Sequence, residues 1–252
     1  MAKLKEIAEF LNKELKIDEI NDSSYNGLQV EGKEEIKKVG FAVDACLESF
    51  ESAKKQGCDL LIVHHGLLWD SKKIMIAGIL FKRISFLIKN NIALYAAHLP
   101  LDCHAKYGNN IQLARLLNLR NVKEFGNYHG FNIGFSGELE KEMSREEFVS
   151  FINEKIGANS EVLAFGKEKI RKVGIVSGGG DSSLQEAIDK EIDALLVGDR
   201  KYSSIQMAKD GRINLVAAGH YETETWGVKA LMPLLKEKFS VETVFIDYNP
   251  SQ

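Results

Sequence analysis

Proline and cysteine are scarce in this chain, and no low-complexity tract interrupts it. Only 3 prolines occur among 252 residues, which argues against long disordered linkers. The 3 cysteines, Cys46, Cys58 and Cys103, are odd in number and form no CxxC pair. We therefore expect neither a disulfide framework nor a Cys-rich structural zinc site, and a reduced, cytoplasmic compartment.

The chain also has no excess of positive charge and no long apolar run. A net charge of −3 and a pI of about 6.1 give no bulk attraction to nucleic acid or to a membrane surface. The first 16 residues mix Lys and Glu with apolar residues, unlike a signal peptide. The richest apolar stretch, residues 74–88, contains Lys82 and Arg83 and is too short to span a bilayer. A soluble protein without a membrane partner is expected.

Short apolar segments rich in β-branched residues alternate with helical patterns along the chain. Helical spacing of apolar residues within the first 15 residues predicts an amphipathic helix. Buried strands are predicted at residues 39–43, 60–63, 92–97, 173–176, 194–197 and 215–218, and a mostly buried helix at 74–90. Strands that alternate with helices predict an α/β fold with βαβ units and mainly parallel sheets.

One pattern occurs twice. The segment from Lys38 to Val63 is similar to the segment from 172 to 197, and the interval from Val39 to Asp59 equals that from Val173 to Asp193. We predict two related α/β lobes that arose by internal duplication, one over residues 1–124 and one over 125–252. The C-terminal helix and strand could pack back on the first lobe.

Histidine and carboxylate residues are concentrated where predicted strands end. They are His64-His65, His98 with Asp102, Asp199, and His220 with Glu224. Ligands of parallel sheets bind at the carboxyl ends of strands, and imidazole and carboxylate are ligands of divalent ions. Because a carboxylate can bridge two ions, we predict two metals about 3.5–4 Å apart in a cleft between the lobes. The alternative for a lone strand-end His is a hydrogen-bonded structural residue, and for Asp199 an acidic turn residue.

Three further features each have two interpretations. The loop Gly178–Gly180 could cradle a phosphate with its backbone amides, or it could be a tight turn that needs glycine. His129 could transfer protons or lie in a turn. The pair Arg200-Lys201 could bind a triphosphate or simply be solvated.

These motifs together resemble the GTP cyclohydrolase I type 2 homologues, also called the Nif-three-like dinuclear metal-centre family. The segments that carry the resemblance are residues 26–30, 59–66, 97–102, 108–110 and 219–224. The resemblance implies two lobes and a hexameric ring whose sites face an inner cavity. The metal ligands that it implies are His64, His65, Asp102, His220 and Glu224. It places His98 close to the metals, as a further ligand or as a residue that supports the ligands. Because His98 lies four residues before Asp102 at the same strand end, we expect it to act as the catalytic acid, base or orienting residue.

The functional hypothesis is a hydrolase with two divalent ions per chain, which could be Zn, Mn, Fe, Co or Ni. Its substrate would be nucleotide-like, and opening of the guanine ring of GTP is the named case. One alternative is a ring-shaped, metal-containing binding protein for nucleic acid or a protein partner, without turnover. Another is a scaffold for metal delivery.

Overall fold

The computed structural model describes residues 2–70 and 73–250, which form a mixed α/β fold. The strands, numbered along the chain, are β1 Ala2–Lys3, β2 Gly27–Val30, β3 Glu35–Ile36, β4 Lys38–Asp44, β5 Leu60–His65, β6 Ala93–Ala96, β7 Arg120–Tyr128, β8 Phe131–Ser144, β9 Glu161–Ala164, β10 Lys169–Val176, β11 Ala194–Val197, β12 Asn214–Ala217 and β13 Glu242–Phe245. The helices are α1 Leu4–Leu15, α2 Leu47–Lys55, α3 Gly78–Lys89, α4 Leu99–Asp102, α5 Asn109–Leu116, α6 Arg145–Ile156, α7 Leu184–Asp189, α8 Tyr202–Asp210 and α9 His220–Phe239.

The chain divides into two compact units. The first comprises the residues up to Leu101 together with those from Gly227 onward, and the second comprises Asp102–Trp226. The predicted boundary between residues 124 and 125 lies within β7, in the second unit. The C-terminal strand β13 belongs to the first unit, where it pairs with β4 in parallel.

The first unit contains a five-stranded sheet in the order β13-β4-β5-β6-β2. All its pairs are parallel except β6 with β2. Strand β5 reads as a continuous apolar run because it is buried on both faces, as central strands of parallel sheets are. The predicted N-terminal helix is present as α1, which buries Leu4, Ile7, Ala8, Leu11 and Leu15.

The second unit contains a six-stranded sheet in the order β7-β8-β10-β11-β12-β9. Strands β10, β11 and β12 are parallel, whereas the pairs formed by β7, β8 and β9 are antiparallel. The predicted mainly parallel arrangement therefore describes the first sheet better than the second. The reason is the hairpin of β7 and β8, whose two-residue turn at His129-Gly130 has positive φ at both positions.

The prediction of a mostly buried helix over residues 74–90 is wrong. Helix α3 begins only at Gly78, and of its residues only Leu87 is fully buried. Ile79, Phe81 and Ile88 expose 55–68% of their surface. High apolar content alone suggested burial, but these side chains do not lie on the face that packs against the sheet. Within the described ranges, no helix combines the length and the apolar character needed to cross a membrane.

Two buried aspartates hold equivalent places in the two sheets. Asp59 and Asp193 each accept hydrogen bonds from two consecutive backbone N–H groups and from the Nζ of a lysine 26 positions earlier. The backbone donors are Lys37 and Lys38 in the first unit, and Arg171 and Lys172 in the second. A duplication would leave such matching contacts; the duplication itself stays a prediction.

Candidate metal centre

Three imidazoles converge in the first unit, at the carboxyl ends of β5 and β6. His64 and His65 are the last residues of β5, and His98 follows β6 at the start of α4. One nitrogen from each ring lies within 4.8 Å of the others. Adjacent residues of a regular strand point to opposite faces, and His64 and His65 come together at the last two positions of β5, before Gly66. Three imidazole nitrogens this close to one another could hold a metal ion.

The Nδ1 atom of each of these rings already has a hydrogen-bond partner. His64 Nδ1 lies 2.9 Å from the carbonyl oxygen of Ala97, and His65 Nδ1 lies 2.9 Å from Oδ1 of Asp44. His98 Nδ1 lies 2.9 Å from Oδ1 of Asp22. Since carbonyl and carboxylate oxygens accept hydrogen bonds, Nδ1 carries the proton and the lone pair of each neutral ring is on Nε2. Nε2 is therefore the nitrogen of each ring that could bind a metal ion.

Besides Asp44, two residues beside this cluster were missed in the sequence. Asp22 is 2% exposed at its side chain, and it contacts His98. Burial opposes its ionisation, but hydrogen bonds, led by that from His98, outweigh burial and lower the pKa of Asp22 to about 2. Trp69 packs edge-on against His98 with ring centroids 4.9 Å apart, and its indole N–H donates to the carbonyl of Gly66. Neither Asp22 nor Trp69 is related by a recognisable sequence spacing to the motifs that contain His64, His65 and His98.

In the second unit, His220 and Glu224 lie one turn apart at the start of α9. His220 Nε2 is 3.2 Å from Oε2 of Glu224, and His220 Nδ1 is 2.5 Å from Oδ2 of Asp199. The hydrogen bond with Glu224 raises the pKa of His220 to about 9 against the effect of burial, and Asp199 adds to the rise. Glu224 is 3% exposed. Asp199, predicted as either a cleft residue or a turn residue, here fixes the Nδ1 side of His220.

Asp102 also belongs to the second unit and is buried. Its Oδ1 accepts hydrogen bonds from Asn109 Nδ2 at 2.9 Å and from Ser177 Oγ at 3.0 Å. Asn110 accepts the backbone N–H of Ser177 at 2.7 Å. Asn109 and Asn110 therefore fix the position of Asp102 relative to the end of β10.

The glycine loop after β10 leaves space for Glu224. A Cβ on Gly178, which has φ +57°, would overlap Oε1 of Glu224. The Gly178 N–H donates to Thr223 Oγ1 at 3.1 Å, and its carbonyl accepts from Gly198 and Asp199. The amides of Ser177 and Gly178 are thus already engaged, which favours the tight turn over a phosphate cradle at these positions.

The remaining candidates have ordinary structural partners. Arg200 pairs with Glu161 at 2.8 Å, and Lys201 pairs with the buried Asp181 at 3.1 Å. His129 has φ +50° in the hairpin turn. The turn interpretation of His129 therefore agrees with its backbone conformation, and the two cations have acidic neighbours within the chain.

The donor atoms in both units fit a divalent ion. Imidazole nitrogen and carboxylate oxygen together suit Zn, Mn, Fe, Co and Ni, without the thiolates that would narrow the choice to softer sites. The fold and these groups define an α/β protein that could hold a metal ion at its strand ends.

The comparisons with known proteins identify the family. The chain belongs to the Duf34/NIF3 (NGG1p interacting factor 3) family, which it matches over residues 2–252. A protein of Archaeoglobus fulgidus named GTP cyclohydrolase 1 type 2 homolog is 47% identical over 97% of each chain. Among solved structures, the protein ybgI, described as of unknown function, is similar with a TM-score of 0.93 and 33% identity over the whole of both chains. The protein TTHA1606 from Thermus thermophilus gives a TM-score of 0.89 and 35% identity, again over both whole chains.

Proposed function

We propose that this chain is a metal-dependent hydrolase that holds two divalent ions. The proposed ligands are His64, His65, Asp102, His220 and Glu224. The observation that carries the proposal is the state of the imidazoles: His64, His65 and His220 each have Nδ1 engaged by a carbonyl or carboxylate oxygen. Metal-binding histidines are commonly held in this way, with the second nitrogen directed at the ion.

Two ions rather than one are proposed because a carboxylate, unlike an imidazole, can bridge two ions. Glu224 and Asp102 are both buried, and buried carboxylates are costly unless paired with a cation or with hydrogen-bond donors. Asp102 has donors on Oδ1 from Asn109 and Ser177, a geometry that steadies it as an oxygen ligand. When bound, such ions would supply Lewis acidity and an activated water.

The protein's own contribution to the chemistry would come mainly from His98. Its Nε2 could accept or donate a proton, while Asp22 holds its Nδ1. Trp69 beside it offers an aromatic surface against which a heterocycle could pack. A nucleotide-like substrate is proposed from this surface and from the GTP cyclohydrolase name that relatives carry.

A turnover screen tests the hydrolase. Protein loaded with Mn, Fe, Co, Ni or Zn is incubated with GTP and other nucleotides, and formate and ring-opened products are measured. In His98→Gln the metal content should stay near the wild-type value while turnover falls by about 10²-fold, the size of a general acid–base contribution. Loss of metal along with rate would make His98 a ligand. No turnover in loaded wild type, with salt-dependent DNA binding, would favour the binding protein instead.

We also propose that the chain assembles into a closed homo-oligomer, with the hexamer as the form that the resemblance implies. The support is an exposed apolar segment in which Ile74, Met75, Ile76, Ile79 and Phe81 are 43–72% exposed. Large exposed apolar patches mark interaction sites, and soluble oligomers are mostly closed and symmetric. Light scattering tests this: Ile79→Glu with Phe81→Glu should dissociate the assembly, whereas Met207→Glu, at another exposed apolar position, should not. A wild-type mass of 28.2 kDa would overturn the oligomer.

A further inference from the structure

We propose that Asp22 is a positioning residue for His98. It would hold the ring in the Nδ1–H tautomer and in one orientation, so that Nε2 of His98 is presented to the reacting atoms. The inference deepens the proposed function, because it concerns the residue that would move the proton there. Asp22 lies outside every motif named in the sequence, and its contacts in the structure indicate this role.

Both carboxylate oxygens of Asp22 accept hydrogen bonds. Oδ1 accepts from His98 Nδ1 at 2.9 Å and from the backbone N–H of Ser24 at 3.0 Å. Oδ2 accepts from Asn26 Nδ2 at 2.9 Å and from the backbone N–H of Leu99 at 3.0 Å. A carboxylate can only accept hydrogen bonds when ionised, so a proton must be on Nδ1 of His98 for this contact to be attractive.

The same short segment also fixes the backbone of His98. Asn26 accepts the backbone N–H of His98 on its Oδ1 at 2.7 Å, while its Nδ2 donates to Asp22. Because Asp22 accepts the N–H of Leu99, the peptide groups on both sides of His98 are tied to residues 22–26. The ring is further confined by Trp69 at 4.9 Å. Rotation of His98 would break several of these contacts together.

The comparison with Asp44 shows what is particular to Asp22. Asp44 also accepts from a histidine Nδ1, that of His65, but its side chain is 28% exposed, against 2% for Asp22. A buried carboxylate with four donors is held in place, since each oxygen would lose a partner if it turned. An asparagine at this position would have to direct its NH₂ at Ser24 and His98 or at Asn26 and Leu99, so it cannot reproduce the set.

The test uses the tautomer of His98, read by ¹⁵N NMR of metal-free protein labelled at its 6 histidines, with the His98 signals assigned by their loss in His98→Gln. Wild type should show His98 as the Nδ1–H tautomer at neutral pH. In Asp22→Asn the His98 nitrogens should shift toward a mixture of tautomers, with the other histidines unchanged. Asp18→Asn, at an exposed aspartate nearby, is the matched control and should leave His98 as in wild type.

The outcomes separate this inference from the proposed function. An Nε2–H tautomer in wild type would overturn it even if Asp22→Asn fails to fold. An unchanged Nδ1–H signal in a folded Asp22→Asn protein would overturn it as well. In a metal-loaded enzyme that turns over, Asp22→Asn should lower kcat by about 10-fold or more with metal content retained, the usual range for a residue that orients a catalytic or metal-binding group. If wild type turns over no substrate, the hydrolase fails while the tautomer measurement still decides the role of Asp22.

Discussion

The two units share a frame but differ in the side chains at their strand ends. Each contains three adjacent parallel strands, β4-β5-β6 and β10-β11-β12, and each has a buried aspartate bound to two backbone N–H groups and a lysine. At the strand ends the first unit provides three imidazoles, and the second provides one imidazole with the carboxylates Asp102 and Glu224. The contacts that the two units share stabilise their sheets. The side chains at the strand ends differ, and they are the groups proposed to bind metal ions.

The carboxylates also have different tasks in the two units. In the first, Asp22 and Asp44 accept from histidines and so orient them. In the second, Asp199 does this for His220, whereas Glu224 lies against the Nε2 side of the same ring. The second unit thus carries one carboxylate on the Nδ1 side of His220 and another on its Nε2 side, the side proposed above to face a metal ion. Substitutions can test this difference between the units.

The largest effect is expected for Glu224. Glu224→Gln removes the negative charge beside His220 Nε2 and should lower metal affinity by about 100-fold or more, the upper end of the range for residues that support a metal site. Glu222→Gln, two residues earlier on the same helix and partly exposed, should change affinity little. Competition titration with a chromophoric chelator measures both. Equal losses would mean that α9 presents a different face from the one assigned.

A smaller effect on the same carboxylate is expected from Gly178→Ala. The new Cβ would overlap Oε1 of Glu224, and φ +57° is unfavourable for alanine. The variant should lose about 2 kcal/mol of unfolding free energy, mostly from the left-handed backbone, and should bind metal more weakly. Gly179→Ala is the control, because φ there is −78° and nothing lies within 4 Å of the added Cβ. Urea unfolding and metal titration that show no difference between the two would contradict this account of the loop.

The spacing of apolar residues could predict the helices and strands because it shows which face of each element is buried. The apolar spacing of α1 and the continuous apolar run of β5 follow directly from their burial. Strand ends could be located for the same reason, and the structure places His64, His65 and His98 close together at such ends; their role as a metal site stays a prediction. Apolar content without a clear face misled at residues 74–90, where six large apolar side chains are exposed: Ile74, Met75, Ile76, Ile79, Phe81 and Ile88.

The partners of the histidines could not be predicted in this way. Asp22 reaches His98 across 76 positions and Asp44 reaches His65 across 21. The first contact depends on how the segment between α1 and β2 packs against the sheet, and the second on the register in which β4 pairs with β5. Local sequence pattern encodes neither. Asn26, by contrast, lies in residues 26–30, a segment that carries the family resemblance. In the structure Asn26 contacts both Asp22 and His98. Its place in that segment was therefore the one sequence signal available for this turn.

The equivalence of Asp59 and Asp193 can be tested by acid unfolding. Burial opposes ionisation of each, but hydrogen bonds from a lysine and from backbone N–H groups outweigh it and lower the pKa of both carboxyls. Their stabilisation is therefore complete above the unfolded-state pKa of about 4 and is lost as pH falls through the lower folded-state pKa. Asp59→Asn and Asp193→Asn should each cost about 1–2 kcal/mol at pH 7 and flatten the decline in stability below pH 4.

Urea unfolding between pH 2 and 7 would measure this, with the exposed Asp18→Asn as control. The two variants should behave alike, because the lysines at both places are largely exposed and add little beyond the backbone contacts. If only one variant lost unfolding free energy, the two aspartates would contribute differently to the stability of their units.

The smallest effect is expected at the hairpin of β7 and β8, which has no counterpart among the described strands of the first unit. His129 and Gly130 both have positive φ, the conformation for which Asn-Gly is preferred in two-residue turns. His129→Asn should therefore change the unfolding free energy by no more than about 0.5 kcal/mol, the usual limit for surface substitutions, and in the stabilising direction. Metal affinity and any turnover should equal those of wild type, because the ring of His129 contacts Tyr128 in the turn. Calorimetry and the turnover assay check both points, and a 10-fold loss of rate in a stable variant would restore the proton-transfer role for His129.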